Sequence, residues 1–90
     1  MINVIGILCK IKMEKALILL KIECQRDNCI DDILGKIRNK AEVREAGMTF
    51  GEYDIYVIAE VSKSLEISRL VIEIRGYPSV MSTITLLIAD

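Results

Sequence analysis

The second half of this chain repeats the first. A constant offset of 37 residues, with no gap, places Glu23 on Glu60, Ile30 on Ile67, Ile37 on Ile74, Arg38 on Arg75 and Val43 on Val80. Apolar positions follow the same offset, as with Ile18 on Ile55 and Leu34 on Val71. Each half reads strand, helix, strand. Ala16 to Glu23 alternates, with Ala16, Ile18, Leu20 and Ile22 on one face, and Ile55 to Val61 does the same with Ile55, Val57, Ala59 and Val61. Ile30, Ile33, Leu34 and Ile37 make one helical face. Asn28 is placed to cap that helix. Asp31 and Asp32 lie in its first turn and Lys36, Arg38 and Lys40 at its end, where the dipole favours each sign. Ile67, Leu70, Val71 and Ile74 form the stripe of a second helix, with Ser62 or Ser64 as its cap, Gly76 just past its end and Pro78 as its stop. Val43 to Phe50 and Val80 to Ile88 are the remaining strands. Two βαβ halves in tandem predict an α+β, ferredoxin-like βαββαβ sandwich, with a four-stranded antiparallel sheet and both helices on one face. Residues 16–90 form this domain. Residues 1–15 are an N-terminal strand, Ile2 to Ile11, and a short connector.

The halves meet at Phe50-Gly51-Glu52-Tyr53-Asp54-Ile55. Gly51 tolerates positive φ and Asp54 can bond its own backbone, so the stretch reads as a tight reversal carrying a carboxylate, a phenol and exposed amides. The uniformly apolar strand faces belong under the helices. The face left uncovered is then expected to carry Leu17, Leu19, Tyr56, Ile58, Thr83, Thr85 and Leu87, with Asp54 on the same side. That face is largely apolar, and a chain of 90 residues with mean hydropathy +0.39 has little interior in which to hide the excess. A homodimer, sheet against sheet about a two-fold axis, is the simplest cover.

Several function classes are excluded. With net charge −1, one Phe and no Trp, there is neither a basic face nor a stacking platform for direct nucleic-acid binding. No apolar run approaches the roughly 18 residues of a membrane span. Met1 to Met13 lacks the basic start and cleavage site of a signal peptide, so a cytoplasmic protein is expected. Without histidine there is no Ser-His or Cys-His pair and no imidazole ligand, so neither an enzyme nor a metal or other cofactor is expected. Cys9, Cys24 and Cys29 are odd in number and lack CxxC spacing, which argues against a disulfide framework and for buried or half-buried thiols. Cys29 falls at a helix start, where a thiol gains reactivity.

Two passages carry a family resemblance. Gly51-Glu52-Tyr53-Asp54 before an apolar strand and a capped helix, followed by Tyr77-Pro78-Ser79-Val80-Met81-Ser82-Thr83-Ile84-Thr85-Leu86, resembles the effector-binding (RAM) domain of Lrp/AsnC-type regulators. The likeness covers residues 16–90. It departs from the family in two ways. No helix-turn-helix domain fits before Ala16, so the chain resembles a stand-alone member. Asn3 to Ile11 is similar to the family's linker strand, while Met13 resembles the usual start of stand-alone members. The family's common Pro-Gly-Val is here Pro78-Ser79-Val80.

The resemblance implies binding of a small effector, typically a free amino acid, between dimers of a larger ring. It also implies modulation of transcription, alone or in mixed oligomers with an Lrp-like DNA-binding relative. By motif it names Gly51, Tyr53, Asp54, Thr83 and Thr85 as the ligand-binding residues. Turn amides near Gly51 suit a carboxylate, Asp54 an α-ammonium, and threonine hydroxyls both donate and accept. The alternative is a ligand-independent oligomerisation module, with Asp54 closing a turn and the threonines serving a half-exposed strand.

Overall fold

A computed structural model describes residues 13–24 and 28–89. The expected strand from Ile2 to Ile11 lies outside the described residues. The elements are β1 (Glu14–Ile22), α1 (Cys29–Arg38), β2 (Val43–Met48), β3 (Ile55–Val61), α2 (Ser64–Arg75) and β4 (Val80–Ile88). All neighbouring strands pair antiparallel in the order β2-β3-β1-β4. This is the ferredoxin-like sandwich the repeat predicts. The leading strand of each half lies in the centre of the sheet, and the trailing strand of each half forms an edge.

Alternation explains the centre. Ala16, Ile18 and Leu20 of β1 and Ile55, Val57 and Ala59 of β3 are 0% exposed. They pack beneath Ile33, Leu34 and Ile37 of α1 and Ile67, Leu70 and Ile74 of α2. Burying each large aliphatic side chain contributes about 1.5–3 kcal/mol, which makes this double layer the main source of stability.

The edge strand β4 corrects the expected faces. Leu20 pairs with Thr83, Ile18 with Thr85 and Ala16 with Leu87. Directly opposed residues share a face, so Thr83, Thr85 and Leu87 lie on the helix side. The open face carries Ile84, Leu86 and Ile88, 40%, 51% and 39% exposed, beside Leu17, Leu19, Tyr56 and Ile58. Both alternations of β4 are apolar and neither is well covered, so its pattern does not fix which face turns inward. The open face is more apolar than the sequence reading had it.

The helix ends also differ in detail. Asn28 sits at the N-cap of α1, but its side chain makes no capping hydrogen bond. The N-cap of α2 is Lys63 rather than Ser62 or Ser64. Glu66 closes that end by accepting from the Ser62 amide (3.0 Å), the Lys63 amide (3.1 Å) and the Ser62 hydroxyl (3.1 Å). The Lys63 amide first, then Ser62, holds the Glu66 carboxyl below its ordinary value. Gly76 is right-handed at φ −79, and the left-handed position falls instead on Ser79, φ 78.

Side chains secure the helices. Arg38 donates through Nε (3.0 Å) and Nη2 (2.8 Å) to the Ala46 carbonyl of edge strand β2. Lys40 pairs with Glu73 of α2, and this contact raises the pKa of Lys40. The ammonium groups of Lys36 and Lys40 lie 5.5 and 5.9 Å from the Tyr77 ring centre.

Candidate functional site

The turn between β2 and β3 is built from its backbone. β2 ends at Met48 rather than Phe50, and just past it the Thr49 amide donates to the Asp54 carbonyl (2.9 Å) across the turn. The Thr49 hydroxyl donates to the Tyr53 carbonyl (2.7 Å). Gly51 has φ 125, a conformation that side chains oppose even where space is open, as it is here. Phe50 stands at the tip, 99% exposed.

Asp54 ties this turn to the central strand. Its amide donates to the Leu20 carbonyl (2.8 Å), and its Oδ2 accepts from the Ile22 amide (2.7 Å). β3 begins only at Ile55, so Asp54 supplies the backbone partners that β1 lacks beyond Leu20. Asp54 therefore does more than cap its own turn. The Lys21 ammonium approaches the Glu52 carbonyl at 3.5 Å, the long limit of a hydrogen bond.

Thr83 and Thr85 lie elsewhere. They flank β1 on its other side, opposite Leu20 and Ile18. Two interstrand spacings, about 10 Å, therefore separate Thr83 from the turn. Thr83 is half-buried. Thr85 is exposed and lines an apolar recess of about 330 Å³ with Ile67, Ser68, Val71 and Ile72. Within one copy, Gly51, Tyr53 and Asp54 share a loop, and the threonines do not join them. The placement of Asp54 and the threonines on one open face is corrected by the same β4 register.

The end of β1 carries two further ties. The Glu23 amide donates to the Ser79 carbonyl (2.8 Å). Cys24 and Cys29 form a disulfide with Cα atoms 5.7 Å apart, which corrects the expectation of free thiols. Counting cysteines addresses frameworks, whereas a local bridge needs only two close Cα atoms at a strand-to-helix corner. The five-residue spacing from the end of β1 to the start of α1 was the available signal. Residues 22, 23 and 24 thus bind three different parts of the molecule: the turn before β3, the turn before β4 and the start of α1.

The architecture is an open-faced α+β sandwich of four antiparallel strands under two helices. Crystal structures of similar fold include FFRP-DM1, at 26% identity, TM-score 0.74, over 84% of this chain and 99% of that one. A transcriptional regulator from Neisseria meningitidis in complex with L-Met gives 18% identity, TM-score 0.75, over 86% of this chain and 50% of that one. AsnC from Escherichia coli gives 20% identity, TM-score 0.75, over 92% of this chain and 54% of that one. The chain spans about half the length of these two regulators. No protein-family model and no curated protein matches the sequence. The fold is that of Lrp/AsnC-type regulators and their short relatives, as the two motifs implied. No helix among the described residues is long and apolar enough to cross a membrane.

Proposed function

We propose that this chain is an Lrp/AsnC-type effector-binding module that takes a free amino acid between copies of itself and so modulates transcriptional regulators. The observation that carries the reading is the state of Asp54. One carboxylate oxygen is fixed by the Ile22 amide, which orients the group and leaves Oδ1 for an α-ammonium. The loop amides around Gly51 and the Lys21 ammonium suit the ligand's carboxylate. The methionine-bound regulator of like fold supports an amino acid as the ligand class.

Assembly completes the proposed site. Thr83 and Thr85 of one copy are assigned to the wall facing Gly51, Tyr53 and Asp54 of another, since one copy holds them apart. A homodimer forms through the open face and associates further, with the exposed Phe50 beside the new contact. The partners in this reading are a second copy, the effector and an Lrp-like DNA-binding relative. It invokes no cofactor, membrane or direct nucleic-acid contact, and it places the protein in the cytoplasm.

A ligand-independent oligomerisation module is the second reading. It is favoured by the structural work that Asp54 already performs for β1. A thermal-shift screen over the twenty amino acids separates the two. A true effector at a hundredfold excess over Kd stabilises by about 2.7 kcal/mol. If no amino acid moves the transition while the oligomer persists, the sensor reading is wrong and the second stands.

A further inference from the structure

We propose that Cys24 and Cys29 form a reversible thiol–disulfide switch, a redox modification site that sets how firmly the end of β1 is held to α1. This inference does not rest on effector binding. The bridge closes a loop with a sequence separation of only 5, where the entropic gain from crosslinking is small. A bridge so short constrains one corner rather than the whole fold. In a reducing compartment, bridges that form and open are more common than permanent frameworks.

The two sulfurs are not equivalent. Cys29 is buried and is the first residue of the ten-residue helix α1, whose free amides favour a thiolate. Asp31 and Asp32 in the same turn oppose that charge, and Lys36 favours it. Cys24 is half-buried at the end of β1. A recess of about 210 Å³, lined by Cys29, Asp32, Ile33, Lys36, Pro78 and Ser79, opens beside the buried partner. Cys24 is the more accessible sulfur and Cys29, at the helix start, the leaving group, so an incoming thiolate attacks Cys24 Sγ. The sulfur–sulfur bond breaks, its electron pair goes to Cys29, and a mixed disulfide remains on Cys24. With a dithiol as reductant, the second thiol resolves this mixed disulfide. The reductant leaves as its own disulfide, two electrons pass to the protein, and two protons end on the released thiols or in solvent.

Opening the bridge removes the covalent tie to α1 and leaves this end of β1 held by the Ile22–Asp54 and Glu23–Ser79 hydrogen bonds and by packing. The test uses the full chain. Iodoacetamide alkylation followed by peptide mass mapping should leave Cys24 and Cys29 unmodified after air oxidation and modify both after dithiothreitol. Amide exchange at Ile22 and Glu23 should be about tenfold faster in the reduced chain, with the Leu70 amide in the core unchanged. Cys29 in Cys24→Ser should alkylate about tenfold faster than Cys24 in Cys29→Ser. If either serine variant fails to fold, alkylation order in the reduced wild-type chain supplies the same comparison. Alkylation of Cys24 and Cys29 without reductant, equal exchange in the two states, or faster alkylation of Cys24 would each overturn the proposal.

Discussion

Ser79→Gly should stabilise this protein. The Val80 amide donates to the Tyr77 carbonyl (3.3 Å), which defines a β-turn from Tyr77 to Val80 with Pro78 in its second position. Ser79 occupies the third position at φ 78, the value a type II turn demands and that glycine meets without strain. Holding an L-residue there costs about 1–2 kcal/mol in the folded state. Glycine removes that cost but gives the unfolded chain more freedom, which returns about 0.4–1 kcal/mol. The difference is a net gain centred on about 0.8 kcal/mol, or a rise in Tm of roughly 3–6 °C for a domain of this size. The assay is urea unfolding followed by far-ultraviolet circular dichroism, at matched protein concentration because association also stabilises. Ser82→Gly is the control. It lies in β4 opposite Lys21, and glycine within a strand should cost about 0.5–1 kcal/mol there. The two substitutions are chemically identical and should have opposite signs. A midpoint for Ser79→Gly at or below wild type, or an equal gain from Ser79→Ala, would refute the reasoning.

Three further outcomes are expected. Asp54→Ala strands the Ile22 amide and should cost about 1–3 kcal/mol in urea unfolding, while Asp54→Asn keeps a carbonyl acceptor and costs under about 1 kcal/mol; both should abolish any amino-acid-dependent thermal shift. The Glu66 carboxyl titrates below its ordinary 4.5, so its contribution is present above that value and is lost as pH falls through the lowered one; Glu66→Ala should flatten the acid side of the Tm-versus-pH curve. Leu86→Lys puts a charge in the open face and should weaken dimerisation by about 2–3 kcal/mol, roughly a hundredfold in Kd by sedimentation, whereas Leu87→Lys on the helix side should leave that dimer intact.

The sequence revealed what strong periodicity controls. β3 runs from Ile55 to Val61 as read, because a central strand under two helices must alternate without exception. The sequence pattern locates β4 along the chain but does not determine which of its faces turns inward. At a sheet edge, Leu86 and Leu87 are both exposed, and no burial difference writes the register into the sequence. Gly76 follows the helix as a C′ glycine, the usual host of a left-handed residue, yet it stays right-handed. The chain instead spends that conformation at Ser79, where only the departure from Pro-Gly-Val gave a sign. In the candidate site, the turn at Gly51 to Asp54 was legible because its demands are local. The partner of Asp54 was not, since Ile22 lies 32 residues away and contributes only its backbone amide.

The geometry at the end of β1 makes its three ties interdependent. Successive strand amides point to opposite sides, so the Ile22 amide reaches the Asp54 turn and the Glu23 amide reaches Ser79. The register shift between Lys21 and Ile22 is where regular pairing gives way to these contacts. Cys24 then fixes the chain to α1, whose Arg38 grips the far edge strand at Ala46. Three anchors on consecutive residues cannot move independently, so substitutions at Asp54, Ser79 and Cys24 should be non-additive. An ammonium that drew the Asp54 carboxylate toward itself would compete with the Ile22 amide. The strain would pass along the same three residues to β4 and α1, which gives a ligand at the turn a physical route to the rest of the fold.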